Sequence, residues 1–194
     1  MGESQRKALW YIGLLLTARA LTLARLLSVP WFVWLLLRAP VASTALERAS
    51  LPVLYVAIIL SDFFDGRLAR KAGRASHTWG QLDALADIVC TSCSLAAAAW
   101  LGRIGFWVPG GVALLGGRFL WRNLHRQPPS TVRLVEDRAG KAAGVIYYGL
   151  VGVITLELCA RWEASQWYIA RLGDAVALYT LWVLCGRRRG SRQA

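Results

Sequence analysis

Apolar residues recur along this chain in six long runs, near 19–37, 51–71, 79–101, 104–123, 140–161 and 165–185, separated by polar breaks. Runs of about 20 apolar residues match the roughly 30 Å hydrocarbon core of a bilayer, and they are too long for strands. The pattern predicts an all-α integral membrane protein with six transmembrane helices. A further apolar stretch, ALWYIGLLLTA, comes just before the first run and is expected as an interfacial helix or as an extension of the first span. Most connections are short; RAPVASTALERAS and LHRQPPSTVRLVEDRA are the long ones. With no internal repeat and no soluble segment, residues 1–194 read as a single membrane domain.

Composition agrees with the pattern. Hydrophobic residues make up 56% of the chain, 10 residues are Trp, and the mean hydropathy is +0.42, which excludes an ordinary soluble domain. The polar start MGESQRK gives no sign of a cleavable signal peptide. A net charge of +12 would point to nucleic acid in a soluble protein; here it reads as loops facing anionic headgroups, and no nucleic-acid partner is expected. The basic residues also set an orientation. Arg6, Lys7, Arg70, Lys71, Arg74, Arg126, Arg133, Arg138, Arg187, Arg188, Arg189 and Arg192 flank one side of the predicted membrane, whereas the other side has Arg38, Arg48, Arg103 and Arg161. Both termini are therefore expected on the cytoplasmic face of the cytoplasmic membrane. The four cysteines fall in apolar runs, and Cys90 and Cys93 read as small packing residues because no second pair accompanies them.

Charge placement changes the picture at one stretch, LSDFFDGRLARKAGRASHTWGQLDALAD. Of 11 acidic residues in the whole chain, four lie here between two apolar runs. Asp62 and Asp65 are three apart and share one helix face; Asp83 and Asp87 are four apart and share a face of the next segment. The short linker KAGRASHT makes the two helices expected antiparallel neighbours whose acidic faces converge at the cytoplasmic end. Carboxylates in such a place repel one another and are costly to desolvate. Arg67, Arg70 or Arg74 is a possible partner, but hard oxygen ligands suit Mg²⁺ or Mn²⁺ better, and two such ions would clamp a phosphoryl or pyrophosphoryl group.

The same stretch resembles the signature of the CDP-alcohol phosphatidyltransferase family, D-x2-D-G-x2-A-R followed by G and D-x3-D, with Asp62, Asp65, Gly66, Ala69, Arg70, Gly80, Asp83 and Asp87 in its places. Gly80 stands one residue late, with Trp79 in the expected position. The resemblance implies a membrane enzyme of phospholipid biosynthesis that takes CDP-diacylglycerol, moves its phosphatidyl group to an alcohol and releases CMP. It implies two divalent metals on Asp62, Asp65, Asp83 and Asp87, with Asp87 also the general base for the acceptor hydroxyl. Gly66, Ala69, Arg70 and Gly80 fall to the nucleotide, and a homodimer is expected.

The first run, ALTLARLLSVPWFVWLL, is similar to the entry of the family's phosphatidylglycerophosphate synthase branch, with Thr22, Arg25 and Pro30 in matching places. Thr22 and Arg25 are expected on the nucleotide pyrophosphate; a snorkelling Arg25 is the alternative. Arg118, Arg138 and Lys141 match the acceptor side and would hold a phosphorylated alcohol, sn-glycerol 3-phosphate first. Ala84, Ile88, Ala143 and Gly144 replace the branch's Pro, Lys, Lys and Thr, which keeps inositol phosphate, serine and other alcohols open as acceptors. A cation transporter or an inactive scaffold is the more remote reading. Among other residues, Arg171 and Asp174 are expected as a local ion pair, Glu157 at the membrane interface away from the site, and glycines 110–111 and 116–117 at close helix contacts.

Overall fold

The computed structural model describes residues 3–71, 77–125, 138–161 and 166–190; for 3–12, 14–15, 18, 65–66, 68–71, 77–79, 138, 141 and 186–190 it describes the backbone alone. Arg74, Arg126, Arg133 and Arg192, which enter the orientation argument, lie outside the described residues.

Every long apolar run becomes a helix: α1 (Glu3–Arg38), α2 (Ala45–Lys71), α3 (His77–Trp100), α4 (Trp107–His125), α5 (Arg138–Ala160) and α6 (Gln166–Gly190). α1 continues unbroken through ALWYIGLLLTA, so that stretch extends the first helix. Segments Arg19–Val41, Gly80–Trp100, Ala142–Ala160 and Gln166–Cys185 are long and apolar enough to cross a membrane. The chain is thus an all-helical, multi-pass membrane protein. Among the described residues, α2 and α4 do not reach the same apolarity. In α2, Glu47, Arg48, Asp62, Asp65, Arg67, Arg70 and Lys71 dilute the apolar run, and α4 carries Arg118, Arg122, Asn123 and His125 besides four glycines.

Packing organises the helices as a ring. α1 lies against α2 and α3, α2 against α5, α5 against α6, α6 against α4, and α4 against α3; α3 also touches α5 across the ring. The linker-based expectation is corrected here: α1, rather than α3, is the main partner of α2, and the acidic faces of α2 and α3 meet over α1. Buried apolar side chains such as Phe32, Leu36, Leu95, Ala98, Leu150 and Ile154 fill the interior. Leu27, Trp31, Leu114, Trp121, Leu178 and Trp182 stay exposed on the outside, as an apolar solvent demands.

Polar contacts fix the ends. Thr44 caps α2, accepting from the Glu47 N–H at 3.2 Å, while Glu47 Oε2 accepts from the Thr44 and Ser43 N–H groups at 3.2 and 2.9 Å, a reciprocal capping box. At the end of the bundle away from the acidic stretch, Glu157 is buried and paired with Arg103 at 2.9 Å. The α3–α4 turn folds the Arg103 cation over Glu157. Arg171 and Asp174 do pair locally, at 3.7 Å.

Candidate active site

α1 enters the site first. Thr22 and Arg25 are three apart on its inner face, and both are buried. Arg25 does not snorkel, for its side chain has no solvent exposure. Its guanidinium instead reaches three carboxylates: Nη1 donates to Asp62 Oδ1 of α2 and to Asp87 Oδ1 of α3, and Nη2 donates to Asp83 Oδ1. A buried cation in a membrane protein needs such partners, and a planar fork of donors can serve several acids at once.

α3 supplies two of those acids because Asp83 and Asp87 are one helical turn apart. Thr91 Oγ1 donates to the Asp87 carbonyl at 2.7 Å, holding that turn from below. From α5, the Tyr148 hydroxyl donates to Asp87 Oδ1 at 2.9 Å. Four helices thus converge on one cluster, and carboxylate oxygens of Asp62, Asp83 and Asp87 lie within 4.8 Å of one another.

The donor set fits a divalent metal. Three carboxylates carry three formal negative charges against one on Arg25, so the described side chains keep a surplus of two, all on hard oxygen atoms. Asp65 belongs to α2 one turn beyond Asp62; its side chain, like those of Ala69 and Arg70, lies outside the described residues, as does any account of space at Gly66. Gly80 opens α3, one turn before Asp83.

On the Asp62 and Asp87 side the cluster borders a cavity of about 470 Å³. Its other walls are mostly apolar, with Ile59, Ala84 and Ile88 from α2 and α3, Val112, Leu115 and Phe119 from α4, and Gly144 and Val145 from α5, and they carry the hydroxyls of Thr91, Tyr147 and Tyr148. Such a volume suits a substrate-sized group.

A model of the CDP-alcohol phosphatidyltransferase domain matches residues 15–184, which takes in every residue of this cluster. The chain belongs to that family. A "Cardiolipin synthase (CMP-forming)" of Streptomyces coelicolor is 33% identical to it over 88 residues, 45% of this chain and 40% of the relative. The chain therefore matches less than half the length of that relative. No solved structure matches the chain.

For a CDP-alcohol phosphatidyltransferase, the site brings together Arg25, Asp62, Asp83 and Asp87, with Thr22 buried one turn before Arg25 on α1. Arg118 goes elsewhere: its Nη1 donates to the Leu184 carbonyl of α6 at 3.1 Å, and it is not among the residues lining the cavity. Arg138 and Lys141 open α5, with side chains outside the described set. Tyr148 and Thr91 escaped the sequence reading. A signal for Tyr148 existed, because it lies four and seven residues after Gly144 and Lys141, on the same helix face.

Proposed function

We propose that this protein moves a phosphatidyl group from CDP-diacylglycerol to the hydroxyl of an alcohol. The acceptor oxygen bonds to the phosphorus that carries diacylglycerol, the pyrophosphate P–O bond breaks, and CMP leaves with that oxygen. In this reading Asp87 takes the hydroxyl proton, and Asp62, Asp65, Asp83 and Asp87 hold two Mg²⁺ or Mn²⁺ ions. Bound divalent metal neutralises pyrophosphate charge at the breaking bond. Thr22, Gly66, Ala69, Arg70 and Gly80 hold the nucleotide end. Buried Arg25 contributes by keeping three carboxylates together despite their repulsion. The observation that carries the proposal is that convergence of Asp62, Asp83 and Asp87 inside a multi-pass helical bundle. Six spans, cytoplasmic termini with the active site on that face, and a homodimer complete it.

For the acceptor, the geometry best supports an alcohol that is itself a phospholipid, as in cardiolipin formation. Ala84, Ile88 and Gly144, three of the positions that depart from the glycerophosphate branch, line an apolar cavity beside the proposed base, and Arg118 turns to α6. The second reading is sn-glycerol 3-phosphate, favoured by Thr22, Arg25 and Pro30 in α1 and by Lys141 at the start of α5. The test is CMP release by purified protein given CDP-diacylglycerol, Mg²⁺ or Mn²⁺, and phosphatidylglycerol, glycerol 3-phosphate, inositol phosphate or serine. Release with phosphatidylglycerol alone is expected. Turnover with glycerol 3-phosphate and not the lipid reverses the acceptor, and no CMP with any acceptor sinks the transferase.

A further inference from the structure

Two donors from different helices end on the same oxygen of Asp87. Arg25 Nη1 from α1 and the Tyr148 hydroxyl from α5 both donate to Oδ1, and no described residue hydrogen-bonds Oδ2. A carboxylate held by one oxygen cannot swing freely, so its other oxygen keeps one direction. Tyr148 and Asp87 also share the cavity wall. The backbone that carries this phenol is tied to α2: Tyr55 Oη donates to the Tyr148 carbonyl at 2.6 Å. Tyr55 comes that close because residue 152 is glycine, where a Cβ would stand 2.7 Å from the Tyr55 hydroxyl. A line of contacts thus runs from α2 through α5 to the acid on α3.

We infer that Tyr148 is a positioning residue for Asp87, holding Oδ1 so that Oδ2 is presented for the proton of the acceptor hydroxyl and for metal. The inference rests on the transferase reading for its kinetic consequence and on geometry alone for its binding consequence. A hydroxyl that served only to satisfy itself in the bundle would leave both unchanged.

The experiment compares wild type with Tyr148→Phe, which removes one hydroxyl and keeps the ring. Partners that orient a metal-binding or catalytic group typically contribute roughly 10–100-fold. The expected result is a kcat lower by about that factor with KM for CDP-diacylglycerol within about twofold, the mark of an interaction that matters in the transition state. The deficit should widen across a series of acceptors with progressively less acidic hydroxyls, since a badly aimed base is missed most where the proton is hardest to remove. Independently of turnover, Mn²⁺ titration followed by electron paramagnetic resonance should show several-fold weaker binding in Tyr148→Phe. Unchanged kcat, a deficit uniform across the acceptors, or equal Mn²⁺ affinity overturns the assignment. Should Tyr148→Phe not fold, 3-fluorotyrosine at position 148 keeps the shape while changing the donor; kcat that does not move then overturns it. Wild-type protein that releases no CMP sinks the transferase, while the Mn²⁺ titration still decides Tyr148.

Discussion

Arg25 is the described cation among three carboxylates that would otherwise repel one another. Its guanidinium is fully buried, whereas the side chains of Asp62, Asp83 and Asp87 remain 34–41% exposed, so the acids keep some solvent and the cation keeps none. Removing the cation leaves the repulsion uncompensated. Arg25→Met is expected to lose about 1–3 kcal/mol of stability in chelator, and to recover part of it with Mg²⁺. Thermal unfolding in detergent checks this, and equal melting with and without Mg²⁺ in the variant speaks against a metal on these acids. Asp87→Asn keeps shape and removes the base. It should abolish CMP release while CDP binding, followed by calorimetry, stays close to wild type; undiminished turnover removes Asp87 from that role. At this scale the acids were legible because 62/65 and 83/87 repeat a helical turn. Which way Arg25 pointed was not, because a residue on an amphipathic run can turn inward or snorkel, and only its neighbours decide.

Single helices owe their limits to local chemistry. The start of α2 is held by Thr44 and Glu47, and the Thr44 and Ser43 N–H groups hold the Glu47 carboxyl below its usual value. A group with a lowered folded pKa contributes stability above its ordinary pKa and loses it as pH falls through the lowered value. The cap should therefore weaken on acidification and stay intact at neutral pH. Thr44→Ala should destabilise by about 1 kcal/mol at neutral pH, read from the detergent melting curve. α3 and α4 meet where Gly116 faces Ile88; a Cβ at 116 would lie 2.7 Å from both Ile88 γ carbons. Gly116→Ala should cost roughly 1–3 kcal/mol, and Ile88→Ala in the same chain should recover part of it, a coupling that a double-mutant cycle measures. The glycine pairs 110–111 and 116–117 were expected at close contacts. Gly111 and Gly116 are, against Thr180 and Ile88, while Gly110 and Gly117 face open space. A sequence pair cannot say which of its members faces inward, because neighbours on a helix are turned by about 100°.

Across the whole molecule, the ring of six helices places the acids near one end and the Arg103–Glu157 pair near the other. The proposed orientation has a direct check in a cysteine-free background. A cysteine at Ser191 should react with a membrane-impermeant maleimide only after the cell membrane is opened, and one at Gly102 without opening; the reverse pattern inverts the topology. Helix number, four of the six apolar spans and the spacing of the four acids follow from sequence alone, because apolar periodicity and i,i+3 or i,i+4 spacing are local properties of a helix. The sequence also carries the family's motif. Tertiary structure decided the rest: α1 rather than α3 beside α2, Arg25 inside the acidic cluster, Tyr148 on Asp87, Arg118 turned to α6, and a cavity whose walls come from four helices. Each of these depends on which helix faces which, and that is settled by contacts between residues as far apart as 55 and 148. No periodicity in one segment reports it.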